Sequence, residues 1–175
     1  MSILTADMKR VIDEQKLGFV ATVCDDGSPS LSPKGTMVVL DDDHIMFGEI
    51  RSPNTIRNLR TNPAMEINFV DPFSRTGYRF KGDARIIEPG SDEFEALHTR
   101  FEPWGALAAE INCIVALRVV RALPLTSPAY DMGKTRRNCV KPGWPISSPS
   151  SQRPSSARVA GRIKISNPTN VRFGS

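Results

Sequence analysis

The chain has 175 residues, of which 39% are hydrophobic and 24% are charged, which is enough for one domain with a real apolar core. No apolar run approaches the roughly 20 residues that a membrane-spanning helix needs, and the N-terminal segment lacks the apolar centre of a signal peptide. We therefore expect a cytoplasmic protein.

Charge is divided unevenly along the chain, although the net value is only +4. Residues 1–131 contain all 19 carboxylates and 14 of the 23 Lys and Arg residues, so this part carries −5. Residues 132–175 carry +9, are rich in Ser, Pro and Arg, and show neither a helical nor a strand period. We predict a folded domain over 1–131 and a basic, disordered tail over 132–175.

The folded part begins with a predicted helix over residues 5–15, in which apolar side chains recur at helical spacing. A β-rich strand from Gly18 to Cys24 follows, and the turn formers after it predict a hairpin. The return strand, residues 30–40, is interrupted at Ser32-Pro-Lys-Gly35, because Pro33 cannot donate to a strand ladder and Gly35 lets another backbone or a ligand come close. A plain core strand has no need of this interruption.

A third strand, His44 to Ile50, leads into a second helix, for which Ser52 is a suitable N-cap and Pro53 a suitable first residue. This helix is expected to end near Asn62, before a proline. Residues 64–70 then predict a fourth strand.

The remaining pattern predicts two more strands with a helix between them. Residues 78–87 alternate as a half-buried strand does, with Tyr78 and Phe80 on the inner face. A helix capped by Ser91 follows, and residues 111–123 form the most apolar and β-branched stretch. Six short strands with flanking helices close most easily into a small, mainly β barrel.

Several chemistries are excluded by the sequence. Cys24, Cys113 and Cys139 form no close pair, and neither His44 nor His98 has a ligating residue at metal spacing. No dinucleotide fingerprint, phosphate loop or nucleophile motif is present. We expect no metal site, and if the protein is an enzyme its reactive group is a cofactor.

The chemical signal that remains is the start of the second helix, where amides and a partial positive charge favour an anion. Arg51, Arg57 and Lys34 add cations that would complete a phosphate site. A solvated basic turn explains the same residues, and the spacing alone does not choose between these two interpretations.

The order of these motifs resembles the pyridoxamine 5′-phosphate oxidase-like family of FMN-binding split barrels. The resemblance runs over residues 1–131 and rests on Gly18-Phe-Val-Ala-Thr-Val, Ser32-Pro-Lys-Gly, Arg51-Ser-Pro-Asn-Thr-Ile-Arg-Asn-Leu-Arg-Thr-Asn-Pro, Gly77-Tyr-Arg-Phe-Lys-Gly and Ala122-Leu-Pro-Leu-Thr-Ser-Pro-Ala-Tyr-Asp. It implies a six-stranded split β-barrel that forms a homodimer and holds FMN in grooves between its subunits.

The resemblance also implies the cofactor-binding residues. These are Ser32, Lys34, Gly35, Arg51, Ser52, Thr55, Arg57 and Lys81. Many relatives carry a lysine where this chain has Thr55, so one phosphate charge is absent unless Arg51 or Arg57 replaces it. No counterpart of the oxidases' C-terminal Trp/Arg/His signature follows Asp131, which argues against pyridoxamine phosphate as the substrate.

Three functions follow as hypotheses. The first is an FMN-dependent oxidoreductase that acts on an unidentified small substrate. The second is a non-catalytic carrier of flavin, deazaflavin or haem on the same barrel. The third is nucleic-acid binding through the basic tail, which has little support because few aromatic residues are interleaved there.

Overall fold

A computed structural model describes residues 2–133 of the chain. Its helices are α1 (Ala6–Gln15), α2 (Pro53–Thr61) and α3 (Asp92–His98), and a 3-10 segment (Thr99–Glu110) continues α3. Its strands are β1 (Gly18–Val23), β2 (Pro29–Lys34), β3 (Met37–Val39), β4 (His44–Glu49), β5 (Ala64–Asp71), β6 (Thr76–Ile87) and β7 (Cys113–Thr126).

All seven strands belong to one antiparallel sheet, in the order β2-β1-β5-β6-β7-β4-β3. The two edge strands, β2 and β3, are consecutive in the chain and are joined by Gly35 and Thr36 alone. A connection of two residues cannot cross an open sheet of seven strands, since each residue spans at most about 3.6 Å. The sheet therefore curls until its edges meet, and Gly35 lies where they meet.

Two apolar clusters hold this sheet. The larger cluster lies inside the curl, where Phe47, Phe69 and Phe80 are fully buried and α1 contributes Val11 and Ile12. The smaller one lies on the other face of the sheet, where α3 and the 3-10 segment pack on β4 and β7 through Phe94, Phe101, Met46 and Ile114. Strand β4 is buried on both faces, which fixes the position of the loop that follows it.

The prediction of a mainly β split barrel is confirmed, but the strand count is seven instead of six. The predicted strand over residues 30–40 is divided into β2 and β3, because the chain bends at Gly35 and Thr36 from one sheet edge to the other. The predicted break at Ser32-Pro-Lys-Gly35 is thus a change of sheet edge. The last strand begins at Cys113 and continues to Thr126.

The three predicted helices are present within residues 2–133. Thr5 caps α1 and Ser91 caps α3 through their side chains. None of the helices in this part of the chain is long and apolar enough to cross a membrane, and the cytoplasmic location stays a prediction. The predicted tail, from residue 134 onward, lies outside the described residues, so the domain boundary near 131 also stays a prediction.

Candidate functional site

A pocket of about 410 Å³ opens at the point where the sheet edges meet. Its walls come from the β2–β3 junction, the end of β4, the start of α2 and the 3-10 segment. The lining residues are Ser32, Pro33, Lys34, Gly35, Thr36, Gly48, Ile50, Arg51, Ser52, Trp104 and Leu107. Five of the eight predicted cofactor-binding residues are therefore brought together in one cleft, which we call the junction pocket.

Lys34 is the central cation of this pocket. Its side chain is 7% exposed, its Nζ lies 2.5 Å from Ser32 Oγ, and it sits 5.8 Å from the centroid of the Phe47 ring. Burial lowers the pKa of Lys34, and the negative charge of Glu49 opposes that effect. An ammonium has three donors, and within residues 2–133 the hydroxyl of Ser32 is the hydrogen-bond acceptor found for it. The remaining donors are available to an anion.

The start of α2 differs from the prediction that Ser52 caps the helix. Ser52 occupies the N-cap position, but its side chain makes no capping bond to the helix. Instead, Ser52 Oγ donates to Glu49 Oε1 over 3.0 Å, and the Ser52 amide donates to the same carboxylate oxygen. Glu49 is 5% exposed, so this helix start is closed by a buried carboxylate.

Part of the lining of the junction pocket is apolar. Trp104 lies on the 3-10 segment, and its Nε1 donates to the carbonyl of Gly35 over 3.1 Å. The ring of Phe101 supports the indole, with centroids 5.7 Å apart. Gly105 follows in the left-handed region at φ 57°, which bends the segment there, and Leu107 extends the apolar wall.

Trp104, Leu107 and Glu49 are residues that our sequence analysis did not single out, and Trp104 is the largest of them. It belongs to no periodic pattern, because the 3-10 segment is bent at Gly105. A signal was nevertheless present, since a large apolar residue such as tryptophan is more often buried than left in solvent.

Three predicted residues lie outside the junction pocket. Thr55 is 2% exposed and belongs to the inward face of α2. Arg57 lines a second pocket, and Lys81 lies on the outer face of β6, opposite Glu66 and Arg121. The cofactor-binding role of all eight predicted residues stays a prediction, but the geometry does not gather them into one site.

The second pocket, of about 760 Å³, is bounded by α2, the end of β4 and the start of β7. Arg57, Arg60 and Thr61 share a helix face there, and Arg60 is paired with Glu88 over 2.7 Å. Burial raises the pKa of the Cys113 thiol to about 11, and the charge of Glu49 adds to the shift. Because a thiol is nucleophilic only as the thiolate, Cys113 is a packing residue.

The histidines make local contacts. His44 Nδ1 lies 2.9 Å from Asp41 Oδ1, and His98 Nε2 lies 2.8 Å from the carbonyl of Ala108. Within residues 2–133 no group of three or more His, Cys, Asp or Glu side chains is placed to hold a metal ion.

Comparison with known proteins identifies the family. The model of the pyridoxamine 5′-phosphate oxidase family matches residues 4–121, whereas no curated protein matches the chain. The crystal structure of HupZ from Group A Streptococcus is 31% identical, with a TM-score of 0.61 over 71% of this chain and 96% of that one.

Two more distant structures share the fold. An FMN-binding protein from Syntrophomonas wolfei is 15% identical, with a TM-score of 0.58 over 71% of this chain and 87% of that one. HutZ, the haem storage protein from Vibrio cholerae, is 18% identical, with a TM-score of 0.55 over 71% of this chain and 94% of that one. The family match covers most of the described domain, and the chain belongs to the pyridoxamine 5′-phosphate oxidase family.

Proposed function

We propose that the protein binds FMN in the junction pocket and uses it as a flavin-dependent oxidoreductase. The observation that carries this proposal is the buried ammonium of Lys34 in a pocket that the indole of Trp104 also lines. A ligand that suits both side chains has an anionic group and a flat ring system. FMN has this form, and the family membership supports it.

The phosphate end would be held by Lys34, Ser32 and Arg51. Lys34 retains donors for an anion, and the exposed Arg51 lines the same pocket. Arg57 lies on the helix face that lines the second pocket, so Arg51 is the residue we propose in place of the lysine that relatives carry at Thr55. Charge-assisted hydrogen bonds from two cations are sufficient to position one phosphate group.

Trp104 Nε1 donates to the Gly35 carbonyl, so these two residues are in contact, and the ring end would lie against both of them. A Cβ atom added at Gly35 would meet nothing within 4 Å, so this backbone is open to a neighbouring ligand. A pocket of about 410 Å³ is within the range of small-molecule sites. The bound flavin would supply the electron transfer, and the chain would bind it, orient it and exclude water from it.

We further propose that the protein is a homodimer whose subunits meet at the outer face of the sheet. Strand register places Pro33, Phe19, Asn68, Arg79 and Leu123 in one row across five strands. Phe19 is 39% exposed and Leu123 36% exposed. In this row Asn68 and Arg79 stand between the exposed side chains of Phe19 and Leu123. Exposed apolar side chains on an open sheet face are suited to an isologous contact with a second copy.

The test of the cofactor is the absorption spectrum of the full-length protein after incubation with FMN, or separately with haemin, and gel filtration. We expect flavin bands at about one FMN per chain, as one pocket per subunit requires. Retention of haemin without retention of FMN would favour the haem carrier instead. Against that outcome, no histidine of residues 2–133 lines the junction pocket.

A further inference from the structure

The carboxylate of Glu49 is enclosed by the protein at the edge of the junction pocket. Glu49 itself lines the second pocket, and its Oε1 reaches Ser52, which lines the junction pocket. It stands at the last position of β4, is 5% exposed, and in residues 2–133 no cation lies within 4 Å of it as an ion pair. Its backbone is fixed, since the Asn112 amide donates to the Glu49 carbonyl over 2.7 Å and Glu49 pairs with Cys113 in the sheet. A buried carboxylate is stable only when hydrogen-bond donors replace its lost water.

Those donors come from the start of α2. Glu49 Oε1 accepts the hydrogen bonds of both the amide and the hydroxyl of Ser52. Of the next amides, Pro53 has none and the Thr55 amide donates to the Ser52 carbonyl over 2.9 Å. Three of the four positions from 52 to 55 therefore have no free amide for a ligand.

The same groups are the ones that an entering phosphate would need. Ser52 lines the junction pocket together with Lys34, and helix-start amides bind phosphate in the same way as they bind a carboxylate. The charge of Glu49 also acts directly on the ammonium of Lys34. A phosphate that approached Lys34 would meet a fixed negative charge that already holds the Ser52 donors.

We propose that Glu49 is an internal competitor for the phosphate subsite, and that it sets how strongly the pocket prefers phosphorylated to unphosphorylated flavins. This inference rests on the proposed function. Binding of a phosphate requires Glu49 to release Ser52 or to share its donors against electrostatic repulsion. The affinity of riboflavin, which has no phosphate, does not depend on the charge of Glu49.

The experiment measures the dissociation constants of FMN and riboflavin by flavin fluorescence, with the full-length chain and its Glu49→Gln variant. Glutamine keeps an acceptor for Ser52 but removes the charge. We expect FMN to bind about tenfold tighter to the variant than to wild type, which corresponds to the free energy of about one charge-assisted hydrogen bond. Riboflavin should bind equally to the two proteins. Glu88→Gln is the matched control, since Glu88 also lines the second pocket but accepts its hydrogen bond from Arg60 and not from Ser52.

Circular dichroism verifies that Glu49→Gln is folded. The proposal is wrong if this folded variant binds FMN no tighter than wild type does, or if Glu88→Gln tightens FMN binding to the same extent. Glu49→Ala provides a second variant, which removes the acceptor completely. A parallel series measures the melting temperature against inorganic phosphate. If neither flavin binds, the proposed function fails. In that case a larger phosphate-induced rise in the melting temperature of Glu49→Gln than of wild type would still support Glu49 as the competitor. Equal rises in melting temperature would overturn it.

Discussion

The indole of Trp104 donates a hydrogen bond to the carbonyl of Gly35 over 3.1 Å, although 69 positions separate them in the chain. Gly35 lies where the two sheet edges meet, and Trp104 lies on the segment that packs outside β4 and β7. This contact joins the two walls of the junction pocket, so the pocket has its shape only when the sheet is curled and the 3-10 segment is docked.

The first prediction concerns the cation of the pocket. Lys34→Ala should weaken FMN binding at least tenfold, because a charge-assisted bond to phosphate contributes about 1.5–3 kcal/mol. Arg57→Ala is the matched control, since Arg57 lines the second pocket and its loss should change the dissociation constant of FMN less than twofold. Equilibrium titration of flavin fluorescence measures the dissociation constants of both variants. Equal losses would show that general electrostatics, and not a site, attracts the cofactor.

The second prediction concerns pH and follows from the lowered pKa of Lys34 in the folded chain. Between that value and about 10.4, the value of an unfolded lysine, the unfolded chain binds more protons than the folded one. The stability of the ligand-free protein therefore rises with pH across this window.

Lys34→Met has no titrating group at this position. Its free energy of unfolding relative to wild type should fall as pH rises toward about 10.4. Urea unfolding at about pH 7 and about pH 10 measures the two proteins under the same conditions. Parallel pH dependence in the two proteins would mean that Lys34 is not desolvated in the folded state.

The third prediction separates the two functions of Trp104. Trp104→Phe keeps an aromatic wall but loses the hydrogen bond to Gly35, so the free energy of unfolding should fall by about 0.5–1.5 kcal/mol. Trp104→Ala removes the wall, and FMN and riboflavin should both bind several-fold more weakly, because the stacked ring is common to them. Selective loss of FMN binding alone would place Trp104 at the phosphate end and contradict our assignment.

The fourth prediction concerns the outer face of the sheet. Phe19→Lys should convert the proposed dimer into a monomer, because it replaces an exposed apolar side chain of the proposed contact by a charge. Size-exclusion chromatography with light scattering measures the mass. Phe73→Lys is the control, since Phe73 is 53% exposed in the turn between β5 and β6. A wild-type protein that is already monomeric would end the dimer proposal.

The fifth prediction compares two glycines. A Cβ atom at Gly82 would lie 1.9 Å from the Arg118 carbonyl oxygen, where β6 and β7 shift register. Gly82→Ala should therefore lower the melting temperature by about 4–8 °C or more, as overpacking in a domain of this size does. A Cβ atom at Gly35 would meet no atom within 4 Å. Gly35→Ala should therefore leave the melting temperature nearly unchanged, while it weakens FMN binding. Thermal unfolding and fluorescence titration distinguish these effects.

The sequence by itself determined the main secondary-structure elements, one helix cap and the family of this protein. Period-2 alternation identified the buried face of β6, Ser91 capped its helix as expected, and the break at Ser32-Pro-Lys-Gly35 marked a place where the backbone leaves a strand. The resemblance to the pyridoxamine 5′-phosphate oxidase family, which the family match confirms, also came from the order of such motifs. These features depend on neighbours within a few positions, so the sequence contains them directly.

The composition of the site was decided by tertiary structure. The sequence placed Ser52 at the correct cap position, but only the pairing of β4 with β7 brings Glu49 to a depth at which its carboxylate takes the Ser52 donors. Arg57 is five positions from Ser52, yet it lies on the helix face that lines the second pocket. Trp104 reaches Gly35 because β2 and β3 are opposite edges of a sheet that curls on itself. The burial of Glu49 and the contact of Trp104 with Gly35 depend on which distant strands pair, and local spacing does not encode that choice.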